Sequence, residues 1–115
     1  MDVLSAYIDR MRIKAVAGNL SHEVMPPLIC RDGLKLSVQA SSYHYCEPRN
    51  HAGPWNSMEV GFPSMPIPEL RKWRDDLGND DSDNDCVFGY VPVDKILETI
   101  EKHGGCVQLE ELPQD

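Results

Sequence analysis

The segment 41–55, SSYHYCEPRNHAGPW, concentrates the side chains of this 115-residue chain that are best suited to chemistry. His44, Cys46 and His51 have the spacing H-x-C-x4-H, and imidazole nitrogen and thiolate sulfur are donors that zinc prefers. A structural zinc site needs four such ligands, usually as two close pairs, so a fourth would have to come from one of the other three cysteines. The chain has no second close pair, and zinc is therefore an alternative to the main interpretation.

The same segment holds groups that can serve as nucleophile and base, namely Ser41, Ser42, His44 and Cys46. Along an extended chain, His44 and Cys46 point to the same side and have little freedom to align. The chain has neither a G-x-S-x-G elbow nor a glycine-rich phosphate loop. We therefore predict a protein that is not an enzyme and has no cofactor.

A third interpretation of the segment is recognition of a partner. Tyrosine, tryptophan and arginine are enriched at binding hot spots, and the segment supplies Tyr43, Tyr45, Arg49 and Trp55. Prolines and a glycine between them limit the backbone. The loop is then either a rigid structural plug or an exposed platform for a partner, and we take the four side chains as candidate anchors.

A second polar stretch lies at 79–85, where we expect a mobile surface loop. Asp81, Asp83 and Asp85 match the opening ligands of a calcium-binding EF-hand, but Cys86 stands where that loop needs glycine and Pro92 where it needs glutamate. An acidic, solvated loop is the better interpretation. Its carboxylates also offer a negative surface to a partner, through Asp80, Asp81, Asp83 and Asp85.

The overall charge favours a protein partner over a nucleic acid. The formal net charge is −8 and the pI is about 4.8, so phosphate backbones and anionic membrane surfaces repel the chain. We predict no direct nucleic-acid contact and no membrane association, and a partner with a basic surface. A homodimer through a sheet edge is an alternative.

Reduced cysteines and a cytosolic location are expected from the sequence. Charged residues interrupt the first twenty positions, so these do not form a secretory signal. The four cysteines are widely spaced and contain no C-x-x-C pair, and in a reducing compartment a thiol usually acts as a small apolar side chain. They are Cys30, Cys46, Cys86 and Cys106.

The elements that must position these residues begin with a helix over the first eighteen positions. Leu4, Ile8, Met11 and Ala15 have helical spacing, and a polar connection over 19–27 follows. Residues 1–27 are predicted as a helical appendage, or as a helix laid across the core.

The strongest local signal is a hairpin over 28–40. Asp32-Gly33 favours a two-residue type I′ turn. Alternation places four apolar side chains on one face and Lys35, Ser37 and Gln39 on the other. The apolar four are Leu34, Leu36, Val38 and Ala40.

Further elements complete the prediction. Met58, Val60 and Phe62 alternate as a third strand, Pro68 opens a short helix with Leu70, Trp73 and Leu77, and 86–91 reads as another strand. The clearest helix spans 92–103, with Val93, Ile96, Leu97 and Ile100 as its buried stripe and Gly104 as its stop. A short edge strand is predicted over 106–109.

This order predicts a small α+β protein with an antiparallel sheet of four to five strands, packed by the 92–103 helix and carrying an N-terminal helix. The predicted divisions are 1–27 as the appendage and connection, 28–109 as one α+β domain, and 110–115 as an acidic tail.

Residues 28–105 also carry a resemblance, in the phrases LICRDGLKLSVQASSYHYCEPRNHAGPW, SMEVGFPS and VFGYVPVDKILETIEKHGG. HYCEPR and the YVPV-helix-HGG ending are the most specific of these. The chain resembles a group of small phage and prophage proteins with no assigned activity. That resemblance implies expression in a bacterial host cytoplasm and an accessory role such as binding and blocking a host protein, including CRISPR–Cas and other defence machinery.

The sequence thus leads to one main hypothesis, a non-enzymatic accessory protein that binds and inhibits a host protein in the manner of an anti-CRISPR. Its alternatives are a small zinc-binding protein at His44, Cys46 and His51 and a purely structural, dimerising protein.

Overall fold

The structure is a computed structural model, and it describes residues 2–17, 25–75 and 86–112. Its elements in chain order are α1 (Val3–Ala17), β1 (Leu28–Ile29), β2 (Lys35–Gln39), β3 (Ser57–Gly61), a 3-10 helix (Pro68–Trp73), β4 (Val87–Pro92), α2 (Val93–Lys102) and α3 (Val107–Glu110). The four strands form one antiparallel sheet in the order β1-β2-β3-β4. The predicted small α+β fold with an N-terminal helix is confirmed.

The predicted hairpin is present, but its turn differs from the type I′ prediction. Cys30 N donates to Leu34 O over 2.7 Å and Gly33 N donates to Cys30 O over 3.0 Å. Of the loop residues only Gly33 has a positive φ, at 99°, whereas type I′ needs two such residues. The connection is a three-residue loop with glycine in the left-handed position, and it is one residue longer than the predicted two-residue turn.

The alternation along β2 is correct for the apolar face and wrong at one polar position. Leu34, Leu36, Val38 and Ala40 are all buried. Gln39 is buried as well, because its side-chain amide hydrogen-bonds the backbone of Met25, in the segment before β1. Its amide oxygen accepts from Met25 N over 2.7 Å and its Nε2 donates to Met25 O over 2.9 Å.

The third strand ends before Phe62, which was predicted to continue the alternation of Met58 and Val60 in that strand. Met58 and Val60 are fully buried, but Phe62 is 60% exposed and has a φ of +52°. The left-handed backbone turns the chain out of the sheet at this point. Alternation in the sequence cannot reveal such a turn, because it assumes an extended backbone.

A β-bulge interrupts the pairing of β3 with β4. Met58 pairs with Val91 and Val60 pairs with Phe88, so the single residue Glu59 faces two residues of β4. The two are Gly89 and Tyr90, and Tyr90 has a φ of +56°. Bulges redirect side chains and end regular pairing, and here the bulge carries Tyr90 out to the surface.

Helix α1 packs against the core. Leu4 and Ile8 are fully buried in the main apolar cluster and Tyr7 is nearly so. Of the two predicted roles for residues 1–27, a helix laid across the core therefore describes α1. The chain divisions themselves stay predictions, and Gly18, residues 19–24 and residues 113–115 lie outside the described residues.

Helix α2 covers the sheet as predicted, with Val93, Ile96 and Ile100 buried and Leu97 partly buried. Gly104 follows it with a φ of +92°, in agreement with its predicted role as the stop. The predicted edge strand over 106–109 is wrong, because Val107–Glu110 is the short helix α3. Cys106, Leu109 and Leu112 are spaced three residues apart, which suits a helix. Alternation over only four residues does not distinguish a strand from such a helix.

The predicted short helix after Pro68 is a 3-10 helix that buries Leu70, with Trp73 partly buried. Leu77 lies outside the described residues. Within the described ranges, no helix is both long and apolar enough to cross a membrane.

Candidate functional site: a loop clamped by the N-terminal helix

Three polar residues of α1 hold the backbone of the 41–55 loop. Ser5 Oγ accepts from Trp55 N over 3.1 Å, and the Asp9 carboxylate accepts from Gly53 N over 3.0 Å. Arg12 donates from Nη1 to His51 O over 2.7 Å. Positions 5, 9 and 12 share one face of a helix, so the loop is fixed along almost two turns of α1.

Arg12 is the central member of this clamp. Its Nη2 also donates to Ala40 O over 2.6 Å, where the loop leaves β2, and its guanidinium lies 5.8 Å from the centre of the Trp55 ring. Burial lowers the pKa of Arg12, and the nearby Asp9 carboxylate acts in the opposite direction. An arginine remains a cation under such a shift, so Arg12 brings a hydrogen-bonded positive charge into the interior.

The first turn of the loop is stabilised by Ser41. Its hydroxyl accepts from Tyr43 N over 2.9 Å and is hydrogen-bonded to His44 Nδ1 at 2.7 Å. Ser41 is fully buried. The serine and histidine that were considered as nucleophile and base therefore meet, but inside a turn that leaves the hydroxyl without access to a substrate.

Cys46 is also fully buried. Its thiol contacts Ser41 O at 3.1 Å and Pro48 O at 3.5 Å. Burial raises the pKa of this thiol, so thiolate ligation is disfavoured. Among the residues that the structure describes, no group of three or more His, Cys, Asp or Glu could hold a metal ion. The arrangement does not favour the zinc alternative at His44, Cys46 and His51.

The outer surface of the loop carries an aromatic platform, which we define as Tyr45, Arg49 and Tyr90. The Tyr45 and Tyr90 rings lie 5.9 Å apart, centre to centre, at an angle of 41°. The Arg49 guanidinium lies 5.4 Å from the centre of the Tyr45 ring, and its Nη2 donates to the Tyr90 hydroxyl over 3.3 Å. All three are exposed, Tyr45 by 51% and Tyr90 by 42%.

The sheet positions this platform through backbone contacts. Tyr90 N donates to Tyr45 O over 3.0 Å, and Tyr45 N donates to the Glu59 carboxylate over 2.9 Å. At Gly89 an added Cβ would lie 3.3 Å from the Cβ of Tyr45, so the absent side chain lets the loop approach the strand closely. The bulge therefore serves both to expose Tyr90 and to seat Tyr45 beside it.

Tyr43 lies outside the platform and is 70% exposed. Its ring is paired with His51, 5.3 Å centre to centre. The structure thus places Tyr43, Tyr45 and Arg49 on the surface, as an anchoring role needs.

Trp55 does not fit its predicted role as an anchor. It is only 2% exposed, and its indole Nε1 donates to Asn50 O over 3.2 Å. A side chain at this depth offers no contact area to a partner. The loop is consequently a plug at its Trp55 end and an exposed surface at Tyr43, Tyr45 and Arg49.

The remaining predicted site residues, Asp80, Asp81, Asp83 and Asp85, lie outside the described residues. Their proposed role in partner binding stays a prediction.

Both outer edges of the sheet are engaged by the chain itself. On β1, Ile29 N donates to the Gln108 side chain over 2.7 Å. Beside β4, Asp75 N donates to Val87 O over 2.9 Å, and Arg74 bridges to Phe88. Covered edges offer few groups for pairing with another chain, so the predicted homodimer through an edge gains no support.

Comparisons with protein-family models, curated proteins and solved structures found no match for this chain.

The sequence did not reveal Tyr90 or the α1 clamp. Tyr90 was assigned to a regular strand, and only its position after Gly89 hints at a bulge. Asp9 and Arg12 were taken as charges that interrupt an apolar stretch. Their spacing with Ser5 was the available signal, but a polar helical face more often meets solvent than a buried loop.

Proposed function

We propose that this chain is a non-enzymatic accessory protein of phage type that binds a host or phage protein in the bacterial cytoplasm. In its most concrete form it inhibits a bacterial defence system in the manner of an anti-CRISPR. The binding surface is the aromatic platform together with Tyr43, and no cofactor is involved.

The observation that carries this proposal is the exposed cluster in which the backbone of Tyr90 places its ring beside Tyr45 and Arg49. A bulky residue with a positive φ is a rare and unfavourable conformation that costs about 1–3 kcal/mol. Here it holds an exposed tyrosine against Tyr45 and Arg49. The same bulge lets Phe88 and Val91 both face the core, so the binding role rests on the exposed side chains that the conformation brings together and not on its cost alone. Tyrosine and arginine are also residue types that dominate binding hot spots.

Charge supports a partner with a basic surface. The chain has 19 acidic and 11 basic residues, which disfavours direct nucleic-acid binding and accelerates association with a positively charged protein. We assign Asp80, Asp81, Asp83 and Asp85 to this second, electrostatic contact. Replacing all four by asparagine is expected to slow association and to reduce its salt dependence, while Tyr45→Ala and Arg49→Ala mainly accelerate dissociation.

The proposal is tested by affinity capture from lysates of phage-infected bacteria, with quantitative mass spectrometry. The platform variant combines Tyr45→Ala with Arg49→Ala. The control variant combines Lys95→Ala with Glu98→Ala, which removes an exposed ion pair on α2. We expect a protein that is enriched by the wild-type and control chains and lost by the platform variant. If all three chains captured the same proteins in the same amounts, the assignment of the aromatic platform as the binding surface would be refuted.

The inhibitory role needs a separate test. The chain is expressed in bacteria whose CRISPR–Cas system targets an infecting phage, and plaque formation is counted. We expect the wild-type chain and the control variant to restore plaques and the platform variant to fail. Absence of rescue across the CRISPR–Cas types tested, with the protein expressed and a partner captured, would retain the binding role and refute inhibition of that defence.

A further inference from the structure

Cys30 and Cys106 lie opposite each other in an isolated antiparallel bridge between the hairpin and the residue before α3. The flanking residues make the hydrogen bond, because Arg31 N donates to Gly105 O over 3.1 Å. The backbone of Cys30 bonds within the hairpin instead: Cys30 N donates to Leu34 O, and Cys30 O accepts from Gly33 N. The two cysteines are therefore a non-hydrogen-bonded pair, the type in which Cα atoms are typically about 4.5 Å apart and side chains are closest.

This placement meets the geometric requirement for a disulfide. A disulfide needs Cα atoms about 4.4–6.8 Å apart and Cβ atoms that face the same way. Opposite residues of an antiparallel pair project to the same face, and both cysteines are almost completely buried. Both are free thiols in this structure.

We propose that Cys30 and Cys106 form an intramolecular disulfide when the chain meets a low-molecular-weight disulfide, and that this bond locks α3 onto the hairpin. One protein thiolate attacks a sulfur of the reagent and releases one reagent thiol. The second protein thiolate then attacks the mixed disulfide and releases the second reagent thiol. The two cysteines lose two electrons and two protons, and the reagent disulfide is reduced to two thiols.

The elements that the bond would join already contact each other. Gln108 of α3 donates to Pro27 O over 3.1 Å and accepts from Ile29 N, and Arg31 forms an ion pair with Glu110. A covalent link would add to these contacts and would replace the hydrogen bond that the Cys106 thiol donates to Gln108 Oε1 over 3.4 Å. Burial raises the pKa of Cys30 to about 11, with smaller contributions from Cys106 and Asp32. Exchange should therefore be slow at neutral pH and faster as the pH rises.

The test uses the full chain in buffers of oxidised and reduced glutathione at pH 8. Equilibrium is approached from the folded reduced protein and from unfolded protein that refolds in the same buffer. After an acid quench, free thiols are alkylated and the peptides are mapped. We expect one intramolecular bond between Cys30 and Cys106, with Cys46 and Cys86 alkylated. The Tm of the oxidised chain should exceed that of the reduced chain by on the order of 10 °C.

Cys30→Ala and Cys106→Ala are the matched variants, and each should abolish the intramolecular bond while the other cysteines stay alkylated. Absence of the 30–106 bond from both directions of approach would overturn the proposal. A bond to Cys46 or Cys86, or a lower Tm after oxidation, would also overturn it. The inference is independent of the proposed function, because its residues lie outside the aromatic platform.

Discussion

At the scale of single residues, two exposed aromatics share the same unusual backbone. Phe62 and Tyr90 have φ values of +52° and +56°. Replacement by glycine removes the steric cost of this conformation, about 1–3 kcal/mol, and adds an entropic cost of about 0.5–1 kcal/mol from the more flexible unfolded chain. We therefore expect Tyr90→Gly and Phe62→Gly each to raise the free energy of unfolding by about 1 kcal/mol, measured by urea denaturation. A loss of stability in both variants would show that the conformation is not strained.

Thr99 offers a second prediction at this scale. Thr99 is 1% exposed, and its hydroxyl has no hydrogen-bond partner among the residues that the structure describes. Valine has the same shape without the buried hydroxyl, so Thr99→Val should raise the free energy of unfolding by about 1 kcal/mol. Thr99→Ser is the control: it keeps the hydroxyl, removes the methyl group and should destabilise the protein by about 1 kcal/mol. A destabilising Thr99→Val would imply a partner for the hydroxyl, such as an ordered water.

At the scale of elements, the central contact is the clamp between α1 and the 41–55 loop. Arg12→Ala leaves the carbonyl oxygens of Ala40 and His51 without this donor, and the loss of charged hydrogen bonds to interior groups is costly. We expect a loss of about 2–4 kcal/mol in the free energy of unfolding.

Arg10→Ala is the matched control for the clamp, because Arg10 is exposed on the same helix. Exposed substitutions of this kind usually change stability by less than about 0.5 kcal/mol. Equal effects of the two substitutions in a denaturation experiment would contradict the clamp and favour a loosely attached helix.

A second contact between elements joins the hairpin turn to the end of α2. Asp32 Oδ2 lies 2.5 Å from His103 Nδ1, and Asp32 N donates to His103 O. The pKa of Asp32 is below its ordinary value of 3.8, chiefly because its carboxylate accepts a hydrogen bond from Leu34 N and further because of His103. A carboxyl group with a lowered folded-state pKa stabilises the protein above its unfolded-state pKa, and the contribution disappears as the pH falls through the folded-state pKa.

Asp32→Asn keeps an acceptor oxygen and removes the charge. The difference in free energy of unfolding between the wild-type chain and this variant should shrink as the pH falls below about 4. The measurement is a series of denaturation curves between pH 7 and pH 2. Parallel stability curves over that range would contradict a charge-dependent contact at Asp32.

At the scale of the whole molecule, the sequence predicted most of the fold and only part of the site. Apolar alternation in β2 and the stripe of α2 were correct because each buries one continuous face, and such faces leave a periodic signal. The turn after Cys30, Phe62 and Tyr90 were missed because a positive φ at one residue has no periodic signature. Trp55 was misplaced for another reason: its residue type suits both a core and an interface, and only the packed structure distinguishes them.

The segment singled out from the sequence therefore supplied part of the exposed surface and missed one of its members. Tyr45 and Arg49 came from the segment that the sequence singled out, whereas Tyr90 joins them from β4 through a bulge. The clamp on the opposite side of the loop depends on a helix that the sequence left undecided between an appendage and a part of the core. Residues distant in sequence meet here through backbone hydrogen bonds, which no local pattern encodes.

The most direct test of the proposed platform compares partner binding by Tyr90→Gly and Phe62→Gly. Both variants lose an exposed aromatic ring and gain a glycine at a left-handed position, but only Tyr90 belongs to the platform. With the captured partner and equal amounts of folded chain, we expect Tyr90→Gly to weaken binding at least about tenfold, as loss of a hot-spot side chain does. Phe62→Gly should bind within about twofold of the wild-type chain. Wild-type affinity in Tyr90→Gly would contradict the assignment of the aromatic platform as the binding surface.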